Sequence, residues 1–208
     1  MTATGKTFFF TIGFDATSIM RLVGERGLAS HDEIVVLTTS QPHPRSENAV
    51  KSVKELVERL NPRAQLRVLR LDEDNVEENI SLLASEIARR HGNYKIVDVT
   101  GGPKVLSIAL YIAALIAGAD EILLTSEVTG ERVQLPYIPL GRLATPRQLS
   151  VLRVLPATLQ EVASRLQVSK PAASRILRRM AEKGLVKLQG REYHPTRLAA
   201  ILLETSKH

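Results

Sequence analysis

Apolar positions along the chain fall into short β-branched or aromatic runs that alternate with longer amphipathic stretches. Residues 6–12, 33–38, 65–71 and 94–99 have the composition and length of buried strands. Between them lie three segments with helical spacing. The first carries Ile19, Met20, Leu22 and Val23 and stops at Gly27; the second carries Ala49, Val53, Leu56, Val57 and Leu60 and stops at Asn61-Pro62; the third is marked by Val76, Ile80, Leu83, Ala84 and Ile87. A fourth stretch, 105–117, is almost entirely Ala, Leu, Ile and Val and predicts a helix apolar on every face. Four strand-then-helix units in succession imply an α/β fold of Rossmann-like type, a mostly parallel sheet with right-handed crossovers and helices on both faces. Residues 121–125 and 132–137 flank Val128-Thr129-Gly130-Glu131 and predict a terminal antiparallel β-hairpin.

From Thr145 the pattern changes to short helices. Residues 148–155 predict the first. Thr158-Leu159-Gln160-Glu161 is a capping box opening a second that runs to Leu166. Ser169 follows the turn at 167–168 as N-cap of a third helix running to Lys183, and Gly184 ends it. Ala173, Ile176, Leu177 and Met180 share the inner face of that helix, with Pro171, Ser174, Arg175 and Arg178 on the opposite one. Residues 185–188 and 191–194, joined at Gln189-Gly190, form a wing, and Pro195 opens a last helix ending near Thr205. This is the order of a winged helix-turn-helix, whose recognition helix enters the major groove. Its DNA-binding candidates are Ser169, Lys170, Ser174, Arg175, Arg178, Arg179 and Arg191. The alternative is a winged helix used for protein contacts. Residues 1–138 are thus expected to form a ligand-binding domain, 139–145 a linker punctuated by Pro139 and Gly141, and 146–208 a DNA-binding domain.

Composition sharpens that division. The chain of 208 residues carries a net charge of +6 and no cysteine, which excludes disulfides and thiol chemistry and suits a reducing compartment. Residues 1–141 sum to −3 and residues 142–208 to +9, an asymmetry that points to a polyanion partner such as nucleic acid for the C-terminal part alone, which with the winged helix means double-stranded DNA; the alternative is a solvated basic surface. The apolar run 105–119 is shorter than the ~20 residues of a bilayer span and no leader pattern opens the chain, so a cytoplasmic protein without membrane contact is expected.

In open parallel sheets ligands bind beyond the carboxyl ends of the strands. That rim gathers residues 13–17, 40–45, 72–75 and 100–104. The turn Thr100-Gly101-Gly102-Pro103-Lys104 has the character of an anion site: glycines permit close backbone approach, Pro103 suits the first helical position, and free amides of the helix start would face a phosphate. The alternative is that the glycines only permit tight strand-to-helix packing and Lys104 is solvated. The turn is neither a Walker A loop nor Gly-x-Gly-x-x-Gly. Asp98 reads as a carboxylate capping nearby amides rather than a catalyst. His31, His43, His91, His194 and His208 have no metal-ligand spacing, and serine hydrolase, paired-carboxylate and kinase signatures are missing, so no metal, cofactor or catalytic residue is assigned. Lys104 and Thr17 could still assist slow phosphodiester cleavage. The apolar helix needs cover on both sides, from a second copy of the chain or from the chain's own hairpin and C-terminal domain.

Asp98-Val99-Thr100-Gly101-Gly102-Pro103-Lys104 after strand four, Gly13-Phe14-Asp15 after strand one and the winged helix together resemble the CRISPR-associated Rossmann-fold (CARF) transcription regulators of archaeal type I-A systems. The resemblance covers essentially the whole chain. It implies a homodimer whose CARF domains bind a cyclic oligoadenylate, typically cyclic tetra-adenylate, across the two-fold axis, and whose winged helices bind promoters or repeats of CRISPR and cas loci. Carried over by position, Gly13, Phe14, Asp15, Ala16 and Thr17 form the first ligand loop, and Thr100, Gly101, Gly102, Pro103 and Lys104 the second. Ser40, Gln41 and Arg45 occupy the loop that reaches the bases. Some CARF proteins are ring nucleases that cleave this ligand, which leaves a ring nuclease as the alternative function.

Overall fold

The computed structural model describes residues 5–41, 43–126, 128–135 and 143–205. The chain forms two compact units, Met1–Ile138 and Pro139–His208. In the first, strands β1 (Lys6–Thr11), β2 (Glu33–Thr39), β3 (Gln65–Leu71), β4 (Tyr94–Asp98), β5 (Glu121–Thr125) and β6 (Arg132–Gln134) alternate with helices α1 (Thr17–Arg26), α2 (Pro44–Leu60), α3 (Val76–Ala88) and α4 (Lys104–Ala117). They build one sheet in the order β3-β2-β1-β4-β5-β6, parallel except for the β5–β6 pair. The chain order reverses between β1 and β4, and the turns after these strands therefore meet at the top of the sheet.

Both faces of the sheet are covered at its centre, where β1 and β2 are continuous buried runs, whereas the edge strand β3 interleaves exposed Gln65, Arg67 and Arg70 with apolar residues. Phe8, Phe10, Ile12, Ile34 and Val36 pack with Ile19 and Leu22 of α1 and Val53 of α2. On the opposite face α4 packs against α3 and against β1, β2 and β4. Cover of α4 is incomplete. Its inner residues Leu106, Ala109, Leu110 and Ala113 are buried, but Ile108 is 57% exposed and Val105 lies beside it at the surface.

The hairpin strand β6 ends at Gln134, after which the Leu135 amide donates to the Ile122 carbonyl at 2.8 Å. Tyr137 of the expected second strand, and residues 139–142 of the expected linker, lie outside the described residues. Leu124 stands opposite Val133 across the hairpin, and both are exposed. Because Leu123 packs on the α1/α2 side, Leu124 and Val133 lie on the α3/α4 side of the sheet.

At the amino ends of the strands a buried ionic network ties three elements together. Arg90 donates from Nε and Nη2 to the two carboxylate oxygens of Glu33, both at 2.7 Å, and from Nη1 to Glu86 Oε2 at 2.9 Å and to the Glu86 carbonyl. Its guanidinium lies 5.2 Å from the centre of the Phe9 ring.

The second unit contains α5 (Pro146–Leu152), β7 (Ala157–Thr158), α6 (Leu159–Arg165), α7 (Lys170–Glu182), β8 (Val186–Gln189), β9 (Glu192–Pro195) and α8 (Arg197–Thr205). The capping box at Thr158 and Glu161 and the Ser169 cap of α7 are formed as expected. Four details differ from the sequence expectation. α5 starts at Pro146, because Thr145 and Gln148 form a further capping box and proline suits the first helical turn. The wing strands are shifted by one residue, so that the turn falls at Gly190-Arg191. β7 adds a third strand by pairing with β9. Pro195 ends β9 opposite Val186 rather than opening α8, which begins after Thr196.

Candidate functional site

β1 leads into the turn Gly13-Phe14-Asp15 and β4 into the turn Thr100-Gly101-Gly102-Pro103, and the two turns touch backbone to backbone. A methyl group at Gly101 would stand 2.6 Å from the Thr11 carbonyl oxygen, and one at Gly13 3.3 Å from Gly102 Cα. Gly102 has φ +78°, the left-handed region. The hydroxyls of Thr11 and Ser107 both donate to the Gly101 carbonyl, at 2.5 and 2.8 Å. The packing role expected as an alternative for these glycines is therefore real. It also fixes where the amides at the start of α4 point.

Pro103 is not the first helical residue. Its backbone is extended, ψ 135°, and it caps α4, which opens at Lys104. Thr100 is held from both sides: its amide donates to Asp98 Oδ1 at 2.8 Å, and its hydroxyl accepts from the Thr125 amide at 2.8 Å. Asp98 is buried, and burial pushes its carboxyl above the usual aspartate range, against the hydrogen bonding of Thr100. Its Oδ2 has no hydrogen-bond partner among the described residues.

The two turns floor a cavity of about 500 Å³ at the carboxyl ends of the strands. Of the residues expected to bind ligand, Gly13, Phe14, Gln41, Gly102 and Pro103 line it. Thr39, His43, Ser46 and Glu73 line it as well, and none of these four was assigned from the sequence. Their signal was positional, since His43 and Glu73 sit in the loops after β2 and β3 that the rim rule had already gathered.

A second cleft of about 310 Å³ runs between α1 and α2 and holds Asp15, Ala16, Thr17 and Arg45. Phe14 belongs to both cavities and separates them. The Arg45 guanidinium lies 4.6 Å from the Phe14 ring centre, and the His43 ring centre lies 4.6 Å from the same ring. Cation, phenyl ring and imidazole thus form an exposed cluster in which the two rings are tilted by 41°. His43 Nδ1 accepts from the Arg45 amide at 3.2 Å, so a neutral imidazole carries its proton on Nε2.

Not every expected ligand group is free to act. Asp15 Oδ1 already accepts the Thr17 amide at 2.7 Å, and Ala16 is buried. The Ser40 amide continues the strand ladder to the Leu71 carbonyl at 2.7 Å. Lys104 is exposed at the first position of α4, outside the lining of the main cavity. Arg70 is occupied by Glu47 through two hydrogen bonds of 2.6 and 3.0 Å, whereas Arg45 has no carboxylate partner among the described residues. The cavity therefore combines two helix starts, α2 and α4, with side-chain donors and one carboxylate, Glu73. Helix starts favour anionic groups, and the side chains beside them offer both hydrogen-bond donors and acceptors. Among the described residues no cluster of His, Cys, Asp or Glu could hold a metal ion, and no helix is long and apolar enough to cross a membrane.

In the second unit Ser169 caps α7 by accepting the Ala172 amide at 3.4 Å. Lys170, Ser174, Arg175, Arg178 and Arg179 are exposed along α7, and Arg191 is exposed in the wing turn. Arg178 pairs with Glu182 at 3.8 Å on the surface. Ile176 is only half-buried and lies toward a flank cleft, so the inner face narrows to Ala173, Leu177 and Met180.

Residues 6–136 match the family model of the Csa3 CRISPR-associated Rossmann-like domain, which is more than half of the chain. The chain belongs to this family. Residues 143–194 match the MarR family, so the Csa3 domain is followed by a MarR-type winged helix. No curated protein matches the chain in sequence. Among solved structures it is similar to Can2 from Sulfobacillus thermosulfidooxidans in complex with cyclic tetra-adenylate, with 10% identity, a TM-score of 0.44 and coverage of 97% of this chain and 64% of that one. It is also similar to Enterococcus italicus Csm6 bound to cyclic hexa-2′-fluoro-hexa-dAMP, with 12% identity, a TM-score of 0.49 and coverage of 98% and 54%. The chain spans less than two thirds of either of these chains.

Proposed function

We propose that the chain is a ligand-responsive transcription regulator of CRISPR or cas loci, sensing a cyclic oligoadenylate, cyclic tetra-adenylate, through the Csa3 domain and binding duplex DNA through the winged helix. The observation that carries this is the cavity on the rim of a Csa3 domain, bounded by the starts of α2 and α4 and walled by the Phe14 platform. Helix starts favour phosphate, an aromatic platform favours a base, and Gln41 and Glu73 supply acceptors for amines or sugar hydroxyls. Gly13, Phe14, Gln41, Gly102 and Pro103 would contact ligand directly. Asp15, Thr17 and Arg45 would serve the adjoining cleft, and Thr100 and Gly101 would hold the second turn in shape.

A cavity of about 500 Å³ is the size that takes a drug-sized ligand and is smaller than a ring of four nucleotides. A two-fold pair of such cavities would share one ring. The exposed Val105 and Ile108 of α4, with the exposed Leu124–Val133 pair on the same side of the sheet, supply the apolar surface for such a homodimer. A Csa3 domain joined to a MarR-type winged helix fits a regulator rather than an enzyme.

The test is fluorescence anisotropy with a labelled duplex carrying a CRISPR repeat or cas promoter, titrated with protein in the presence and absence of saturating cyclic tetra-adenylate. The isotherm is expected to shift with ligand while the ligand is recovered intact. Superimposable isotherms would remove the regulatory link, and linear products beyond a single turnover would favour a ring nuclease.

A further inference from the structure

Arg147, in the first turn of α5, and Arg175 and Arg179, one turn apart on α7, line a single surface cleft of about 290 Å³ together with Ala172 and Ile176. No carboxylate among the described residues pairs with any of the three, while Arg178, adjacent to Arg179, is paired with Glu182. Arg175 and Arg179 are like charges at positions i and i+4, an arrangement that destabilises a helix until something neutralises it. A third guanidinium brought in from a separate helix adds to that repulsion. Planar guanidinium forks match the oxygens of a phosphodiester, and an anion in the cleft relieves the repulsion.

Arg175, expected on the outer face of α7 with Ser174 and Arg178, instead lines this cleft on the flank of the helix. Ser174 and Arg178 form one row along that helix, and Arg175 and Arg179 the next row round, toward α5. With the outer row directed into a groove, the flank row and Arg147 face the strand that borders it.

We infer that Arg147 completes, with Arg175 and Arg179, a phosphate-binding cleft that takes a backbone phosphodiester of duplex DNA beside the groove entered by α7. This rests on the DNA-binding reading of the winged helix. It makes Arg147 a positioning contact that fixes how the recognition helix sits, without reading sequence.

The experiment is a salt titration of anisotropy-measured affinity for the full chain on a mixed-sequence duplex and on a CRISPR-repeat duplex. Arg147→Gln is expected to lower affinity by the same factor on both duplexes and to make the slope of log K against log[salt] shallower by about 0.9, the loss of one phosphate contact. Arg179→Gln, on the other helix, is expected to give the same change of slope. Arg147→Lys is expected to keep the slope, since the charge remains. Far-UV circular dichroism checks that each variant is folded. A wild-type slope in Arg147→Gln and Arg179→Gln, with the parent chain binding duplex normally, would overturn the cleft assignment alone. Failure of the parent chain to bind either duplex would overturn the DNA-binding reading and the cleft with it.

Discussion

Replacing Arg90 by Met is expected to destabilise the Csa3 domain by about 3–5 kcal/mol, the range for removing one partner of a buried ion pair. The side chain of Arg90 is 9% exposed, and those of its partners Glu33 and Glu86 are 14% and 8% exposed. Without the guanidinium two carboxylates would face each other in a site where the nearest remaining cation, Arg67, reaches them at 3.0 and 3.7 Å from a half-exposed position. Burial alone would raise the Glu86 carboxyl, but the Arg90 hydrogen bond and the charges of Arg67, Arg90 and Arg89 outweigh it and hold the group below the usual glutamate range. A lowered carboxyl contributes stability that is present above its unfolded pKa and is lost as pH falls through the folded value. The parent chain should therefore lose this contribution on acidification, and Arg90→Met should show a flatter dependence across the acidic carboxylate range. Urea unfolding at neutral and acidic pH measures both effects. A variant within about 1 kcal/mol of the parent would show that the network is not structurally important.

Gly101→Ala is expected to cost about 2–3 kcal/mol and to weaken ligand binding, because the new methyl meets a backbone atom. Its Cβ would stand 2.6 Å from the Thr11 carbonyl. Relief requires the second turn to move off β1, which breaks the bonds from Thr11 and Ser107 to the Gly101 carbonyl and re-aims the first amides of α4. Gly24→Ala is the contrasting variant. Gly24 lies inside α1 with nothing within 4 Å of its would-be Cβ, so the substitution should stabilise by about 0.5–1 kcal/mol through helix propensity. Thermal unfolding should separate the two variants, with a drop of roughly 5–12 °C for the first. Equal midpoints would mean that the contact between the turns is slack.

The contrast between these glycines shows what a sequence can and cannot convey. The apolar pattern places all five strands of the parallel part of the sheet to within about a residue, because the central strands are covered on both faces and continuously apolar, and β3 at the edge still keeps Leu66, Val68, Leu69 and Leu71. The Gly-Gly turn was legible as a ligand candidate from its place between strand and helix. That Gly101 is demanded by a carbonyl ninety residues earlier in the chain was not legible, since only the pairing of β1 with β4 brings them together. The same limit hid the Phe14 platform, whose members come from the turn after β1 and from the start of α2.

Local misreadings had local causes. β7 has two residues, Ala157 and Thr158, the second of which reads as the start of a capping box, and a strand that short carries no periodicity. Pro195 suits a helix start by type, but its partner Val186 on β8 keeps it in the wing. Arg147 escapes a sequence reading that starts the first helix at Gln148, because the Thr145 capping box opens α5 two positions earlier, at Pro146. Its neighbours across the cleft belong to another helix.

The central claim is that one cyclic oligoadenylate is shared by the rims of two chains, and isothermal titration of the folded full chain with cyclic tetra-adenylate, alongside light scattering, tests it most directly. The expected result is saturable binding with one ring per two chains, to a particle of dimer mass. A monomer, or a folded dimer that gives no binding heat at any temperature tried, would contradict it.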